Sequence, residues 1–424
     1  MSTVAELRAV LHGPFRTLAI GRFLNAIGNG MTLSLLVVYL SQVRGIPIFT
    51  ASLVLVWAAI VGLAATPLAG TLTDRVGPRP VLLVALAIQS VAVALLSQVT
   101  TLAAAFAVST LMALGGAGIW GPDSTFTARL VPSHLRTTAF ALGFMLLNLG
   151  LGLGGLIGAA IIDIQRPETF VLLYLVDAST FAFAWLAVAS LRGLGGPSPL
   201  TTDADTPAEG PPQGGWATAL RDRRLRRMVA ASLLLVICGY GSLEAGMAIF
   251  ITDTARLPES AIGLVWLVNT LTIVVGQLFV LRLLLHRSRT RLIGVVGVLW
   301  GASWLILAVV PEIPRIPAFI LLLASTAVFA VGETVWSPTA PALVNAFAPE
   351  HLRGRYNSAQ SLTWNLGAMA APLLSGILIG AGRGALWAVL VAVGCVVAAV
   401  FAQTLRPLLT ATQDGREAET ARLP

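Results

Sequence analysis

Long apolar stretches, each interrupted by a short basic or turn-forming segment, recur along the whole chain. A segment of about 20 apolar residues crosses the roughly 30 Å hydrocarbon core of a bilayer as a helix. The pattern predicts twelve such spans: 15–40, 50–70, 80–99, 101–122, 137–161 and 170–191, then 228–252, 261–285, 291–310, 318–341, 357–381 and 384–405. The expected fold is therefore all-α and membrane-embedded, with two six-helix halves. Residues 1–191 form the first half and 228–406 the second, joined by a linker with an interfacial helix at 192–227 and followed by a tail at 407–424. Composition agrees, because 56% of residues are hydrophobic and only 11% charged, against about a quarter charged in soluble domains.

All 27 basic residues are arginines. With the N-terminus inside, Arg44, Arg166, Arg256, Arg315 and Arg383 fall outside and Arg22 lies within the first span, while every other arginine lies on the inner side. Cytoplasmic loops are enriched in positive charge, so both termini are expected in the cytoplasm of a cell (inner) membrane protein. The first span is too long for a cleaved leader and lacks a small-residue cleavage site, so it is read as retained. The net charge of +8 is then topological and calls for no nucleic-acid partner. Cys238 and Cys395 fall inside spans, where a thiol is a small hydrophobe.

Residues 193–215 are rich in Pro, Gly, Ser and Thr and read as a disordered linker. The following Trp216-Ala-Thr-Ala-Leu-Arg-Asp-Arg-Arg-Leu-Arg-Arg227 reads as a short helix on an anionic leaflet, or as a site for a regulatory partner.

One signature occurs twice. Trp120-x-Pro122, Pro132-Ser-His134-Leu135-Arg136 and Asn148-Leu149-Gly150 recur as Trp336-x-Pro338, Pro349-Glu-His351-Leu352-Arg353 and Asn365-Leu366-Gly367, displaced by 216 to 217 residues. Gly28-Asn-Gly30 pairs with Gly239-Tyr-Gly241, and Ile46-Pro47 with Leu257-Pro258, at 211. Span one thus corresponds to span seven, four to ten, and five to eleven. Duplicated membrane halves are the usual framework of a transporter that rocks around a central site.

After span two runs Gly70-Thr-Leu-Thr-Asp74-Arg75-Val-Gly77-Pro-Arg79-Pro80. Gly70 permits close helix approach, Gly77 a tight turn, and Asp74 can cap a helix N-terminus. The segment resembles the G-x3-D-R-x-G-R-[RK] loop of the major facilitator superfamily, with Pro78 replacing the first basic residue of the last pair. The resemblance implies that Asp74 engages the opposite half and that the arginine pairs with an acid near the end of span four, where Asp123 stands. The corresponding second-half loop, His286-Arg-Ser-Arg-Thr-Arg291, has lost the motif.

Gly150-x3-Gly154-Gly155-x2-Gly158 and Gly367-x3-Ala371-Pro372-x2-Ser375-Gly376 are similar to the G-x3-G-P-x2-G-G segment of exporters in that family. Two readings stand, an antiporter bend and close helix packing through small residues.

Charges inside a bilayer are expensive and mark function by default. Arg22, Asn25, Asn29 and Thr32 share one helix face, which suits water, substrate or another polar helix; the resemblance puts spans one, four, seven and ten around a central cavity. Arg22 is either an anchor for an anionic group or part of a network with Asp123 or Asp177. Glu244 and Glu333 fall mid-span in seven and ten, opposite Leu33 and Ala117 in the repeat, so duplication did not impose them. A carboxyl in low dielectric can exchange a proton near neutral pH and can attract a cation. Acids on these spans resemble those of proton-coupled multidrug exporters. Asp177, central in span six, is either a proton relay or a helix–helix hydrogen-bonding group. Trp57, Trp266 and Tyr240 suit an adaptable cavity wall, whereas Trp120 and Trp336 suit a gate or interface.

The expected site thus comprises Glu244, Glu333 and Asp177 for proton coupling; Arg22, Asn25, Asn29, Tyr240, Glu244 and Glu333 around substrate; and Gly70, Asp74, Arg75, Gly77, Arg79 and Asp123 at the gate. His12, His134, His286 and His351 all lie in cytoplasmic regions, and no paired metal spacing, nucleotide loop or catalytic set occurs. No cofactor, metal or enzymatic activity is expected. The sequence therefore points to a monomeric drug/proton antiporter that exports small lipophilic cations. A specific metabolite or anion transporter of the same fold is the alternative, and a non-transporting receptor or scaffold is a third.

Overall fold

The computed structural model describes residues 3–32, 36, 39–163, 165–196, 215–258, 260–284 and 287–416. Among these every regular element is a helix. Ten helices are long and apolar enough to cross a membrane, and they correspond to ten of the twelve predicted spans. The other two are represented by Phe15–Thr32, beyond which spans of undescribed residues begin, and by Ser260–Leu284. Most of the linker, 197–214, lies outside the described residues, as does His286.

Two compact units emerge. The first comprises Met1–Trp216 with Ala348–Ser361, and the second Ala217–Phe347 with Leu362–Pro424. In the first unit, Phe15–Thr32 packs against Arg136–Ile161 and Pro167–Ser190. Small residues permit this. A Cβ on Gly150 would stand 2.6 Å from the Ala26 Cβ, one on Gly158 would stand 2.9 Å from the Met31 carbonyl, and one on Gly154 would strike the Ile27 carbonyl. The span-five glycines therefore serve close packing on span one. Span four runs on past its predicted end, as Leu102–Ala117 and then Trp120–Leu130.

Gly77, at φ +93°, ends Ile48–Val76 and begins Pro78–Leu96. Only glycine adopts that φ without strain. Pro78, the departure from the family loop, sits at the first helical position, where its missing N–H costs no bond.

In the second unit span seven is one helical run, Arg223–Thr254, with π-helical segments at Val236–Gly241 and Phe250–Thr254. The repeat aligns the latter with Tyr39–Val43, which is π-helical in the first unit. Each ends with matching bonds: Arg44 N–H to Tyr39 O and Ile46 N–H to Leu40 O in one, Ala255 N–H to Phe250 O and Leu257 N–H to Ile251 O in the other. Each carries a ring against the last span of its own half, Tyr39 on Phe170 at 5.6 Å and Phe250 on Trp387 at 5.7 Å. Both Pro-x-His-Leu-Arg copies form a 3-10 turn, Ser133–Leu135 and Glu350–Leu352, that leads into the next long helix.

Trp216 donates its ring N–H to Pro67 O at 3.2 Å and Thr71 Oγ1 at 3.0 Å. The described part of the tail folds back as Ala411–Asp414. There the wholly buried Asp414 accepts the Thr290 N–H at 2.9 Å and the Ser288 hydroxyl at 2.8 Å, capping Arg289–Val309.

Candidate functional site

In the first unit two of the expected gate residues, Gly70 and Asp74, meet the start of Arg353–Gly380. Asp74 accepts the Gly354 N–H at 2.5 Å and the Arg355 N–H at 3.2 Å, and pairs with the Arg355 guanidinium at 2.8 Å. Its side chain is 3% exposed. A carboxylate at a helix N-terminus answers both the free donors and the macrodipole. Gly70 and Gly354 make the approach possible, because a Cβ on Gly70 would lie 2.5 Å from Ser358 Oγ and one on Gly354 2.6 Å from Gly70 O. Arg79 turns the other way, donating to Val188 O at 3.1 Å and Ala189 O at 2.7 Å. It thereby closes the C-terminal end of Pro167–Ser190.

The expected pair of Arg75 with Asp123 does not form. Arg75 is exposed, whereas Asp123 is engaged by Arg22, whose Nε donates to Asp123 Oδ1 at 2.8 Å and whose Nη2 donates to Thr127 Oγ1 at 2.5 Å. The guanidinium inside the span needs a counter-ion more than one in water does, so it takes the carboxylate.

The remaining polar stripe of span one meets span six. Thr32 donates to Asp177 Oδ2 at 2.6 Å, and Asn25 donates to Thr180 Oγ1 at 3.4 Å. Asn29 donates to Asn25 Oδ1 at 3.3 Å. Asp177 is 1% exposed, and Gly28 leaves it room, since a Cβ there would stand 2.5 Å from Asp177 Oδ1. Of the candidates on this stripe, only Arg22 reaches span four.

The second unit gathers Tyr240, Glu244 and Glu333. Glu333, 4% exposed, accepts from Asn269 Nδ2 and from the Tyr240 hydroxyl. Glu244 is exposed, one turn beyond Tyr240, and near enough for its charge to act on Glu333. Tyr240 lies on the π-helical segment Val236–Gly241 and packs in an aromatic cluster. Its ring centroid is 5.0 Å from Trp300 and 4.6 Å from Trp364, and Trp300 stacks on Phe329 at 4.7 Å. Trp336 is buried, its ring centroid 6.2 Å from that of Trp300. Trp57, Trp120 and Trp266 are exposed.

Asn269 was invisible in the sequence, because one amide in an apolar span has no partner until the fold supplies it. Arg355 could have been found as the second arginine of Arg353-Gly-Arg355, one turn after the repeated loop.

Chemically, this cluster holds a buried carboxylate between two neutral donors, with a second acid open nearby. Such an acid binds a proton or a cation, but pays heavily for being charged and alone. The aromatic faces beside it suit an apolar or cationic guest.

The model of the Major Facilitator Superfamily matches residues 18–311 and 235–423 in two overlapping matches. An uncharacterized MFS-type transporter, YdeE, of Escherichia coli (strain K12) is 24% identical over 363 residues, covering 83% of this chain and 85% of that protein. A Na(+), Li(+), K(+)/H(+) antiporter of Planococcus maritimus is 22% identical over 383 residues, covering 84% and 87%. The crystal structure of a bacterial homologue of the iron transporter ferroportin superposes with a TM-score of 0.76 at 17% identity, over 93% of this chain and 99% of that one.

Proposed function

The chain belongs to the Major Facilitator Superfamily, and we propose that it exports small, lipophilic, cationic compounds in exchange for protons. It is a multi-pass membrane protein with the fold of a transporter. The observation that carries the proposal is Glu333, buried in span ten and held by Asn269 and Tyr240 beside the exposed Glu244. Protonation of this pair competes with a cationic substrate for the same negative charge, and that competition couples the two fluxes. The aromatic cluster at Tyr240 and Trp364 supplies the apolar contact. The antiporter relative supports exchange of cations for protons.

Alternating access makes and breaks the Asp74 cap on Arg353–Gly380. Both termini face the cytoplasm of the inner membrane, and the working unit is the monomer. An anion transporter anchored by Arg22 is disfavoured, because Asp123 already neutralises that guanidinium. A second reading, exchange of monovalent metal cations, rests on the antiporter relative.

The test is a thermal-shift screen of purified protein against lipophilic cations, lipophilic anions, neutral metabolites and alkali-metal ions. It is followed by proton-gradient-driven uptake of each hit into inverted vesicles. Lipophilic cations that stabilise and are transported support the proposal; response to anions or neutral metabolites alone refutes it.

A further inference from the structure

We propose that Arg129 and Arg353 form a binding site for a phosphate group, in the first compact unit and apart from the acids of spans seven and ten. Trp120–Leu130 meets the start of Arg353–Gly380 through Asn357, bonded to Ser124 and Thr125 at 3.0 Å each, one turn from Arg353 and Arg129. Arg355 is neutralised by Asp74 at 2.8 Å. Arg353 has Glu350, at 3.9 Å with a side chain 54% exposed. Arg129 pairs with no carboxylate among the described residues, and its Nη1 donates to Gly196 O at 2.5 Å.

The donors left over are the informative feature. Arg129 Nε and Nη2, Arg353 Nε and Arg355 Nε are all buried without an acceptor among the described residues. A buried donor without a partner forfeits its hydration and gains nothing for it, and a charged one forfeits more. The charge of Arg353 also acts against that of Arg129. Arg353 further stands at a helix N-terminus, where the macrodipole opposes a cation and favours an anion.

The neighbouring acids Glu350 and Asp74 offset part of this charge but give the buried donors no acceptor among the described residues. Asp74 is spent on Gly354 and Arg355, and Arg79 points to the carbonyls of Val188 and Ala189. One anion between Arg129 and Arg353 supplies acceptors for Arg129 Nε and Nη2 and for Arg353 Nε. Two planar forks on separate helices suit a tetrahedral phosphate, whose several oxygens accept from both, better than a carboxylate that one fork saturates. The ends of membrane spans stand at headgroup depth, so the phosphate comes either from a phospholipid headgroup or from inorganic phosphate. Bound there, it ties the end of span four to the helix that Asp74 caps.

The test uses full-length protein washed free of lipid in detergent. Melting temperature is followed against inorganic phosphate at constant ionic strength, and in nanodiscs of phosphatidylglycerol against nanodiscs of digalactosyldiacylglycerol, which contains no phosphate. Wild type is expected to be stabilised by at least one phosphate source. Stabilisation by inorganic phosphate identifies a free anion, and stabilisation by phosphatidylglycerol alone identifies a headgroup. Arg129→Gln and Arg353→Gln are each expected to weaken the response on the order of tenfold, while Arg315→Gln on an exposed segment leaves it intact. Arg129→Lys keeps the charge without the fork and provides a folded variant if Arg129→Gln does not express. Native mass spectrometry of wild type and Arg353→Gln then counts retained phospholipid. No stabilisation of wild type by either source, or an unchanged response in both Arg129 variants, overturns the proposal.

Discussion

The carboxylate of Asp74 pairs with the guanidinium of Arg355 at 2.8 Å, both side chains at least nine-tenths buried. Breaking such a pair strands the other charge and typically costs about 3 kcal/mol or more. Asp74→Asn is expected to lower the melting temperature in detergent, and Arg355→Gln on its own to do the same. The double variant is expected to lose clearly less than the sum, because neither charge is then left alone. Additive losses would mean that the two groups act separately.

The glycines of span five separate packing from bending. A Cβ on Gly154 would strike the Ile27 carbonyl, while one on Gly155 would stand 3.8 Å from Gly30 O. Gly154→Ala is expected to destabilise by about 1 to 3 kcal/mol through overpacking. Gly155→Ala is expected to be neutral or to gain up to about 1 kcal/mol in helix propensity. Equal melting temperatures for the two variants would remove the packing account of this stripe.

Where the second half has lost the gate motif, the C-terminal segment takes over the local bonding. Asp414 accepts from Thr290 N–H and from the Ser288 hydroxyl, and forms an ion pair with Arg416 at 3.1 Å. Truncation after residue 409 is expected to lower the melting temperature and to speed amide hydrogen exchange at 288–291. Exchange that stays at the wild-type rate would show that this contact contributes nothing.

The Arg22–Asp123 pair distinguishes a structural network from a substrate anchor. Arg22→Ala leaves Asp123 uncompensated and is expected to destabilise, and Asp123→Asn added to it is expected to recover part of the loss. Thermal denaturation of the three proteins reads this directly. A substrate anchor would instead leave stability unchanged while abolishing ligand-induced shifts.

Much of this architecture follows from hydrophobic periodicity, which locates spans, and from the repeat, which pairs them. Gly77 and Asp74 were legible because a tight turn and a helix cap each demand a particular residue type. Partner choice was not. Asp123 lies within sequence reach of Arg75, yet Arg22 takes it, since the outcome depends on which guanidinium is desolvated. The spacing of the polar stripe of span one puts it on one face, but the sequence leaves open that Asn25 and Thr32 spend their hydrogen bonds on span six. The π-helical segments Tyr39–Val43 and Phe250–Thr254 escape a reading built on 3.6-residue periodicity, though the repeat had already aligned them. Asn269 emerged only when Glu333 needed a donor.

The central claim, proton coupling through Glu333, is tested most directly by substrate-induced proton flux in inverted vesicles. A lipophilic cation that binds wild type is expected to release protons from acidified vesicles. Glu333→Gln is expected to abolish that flux and to bind the cation more weakly, and Glu244→Gln to reduce the flux. Proton flux at the wild-type level in both variants would contradict the account.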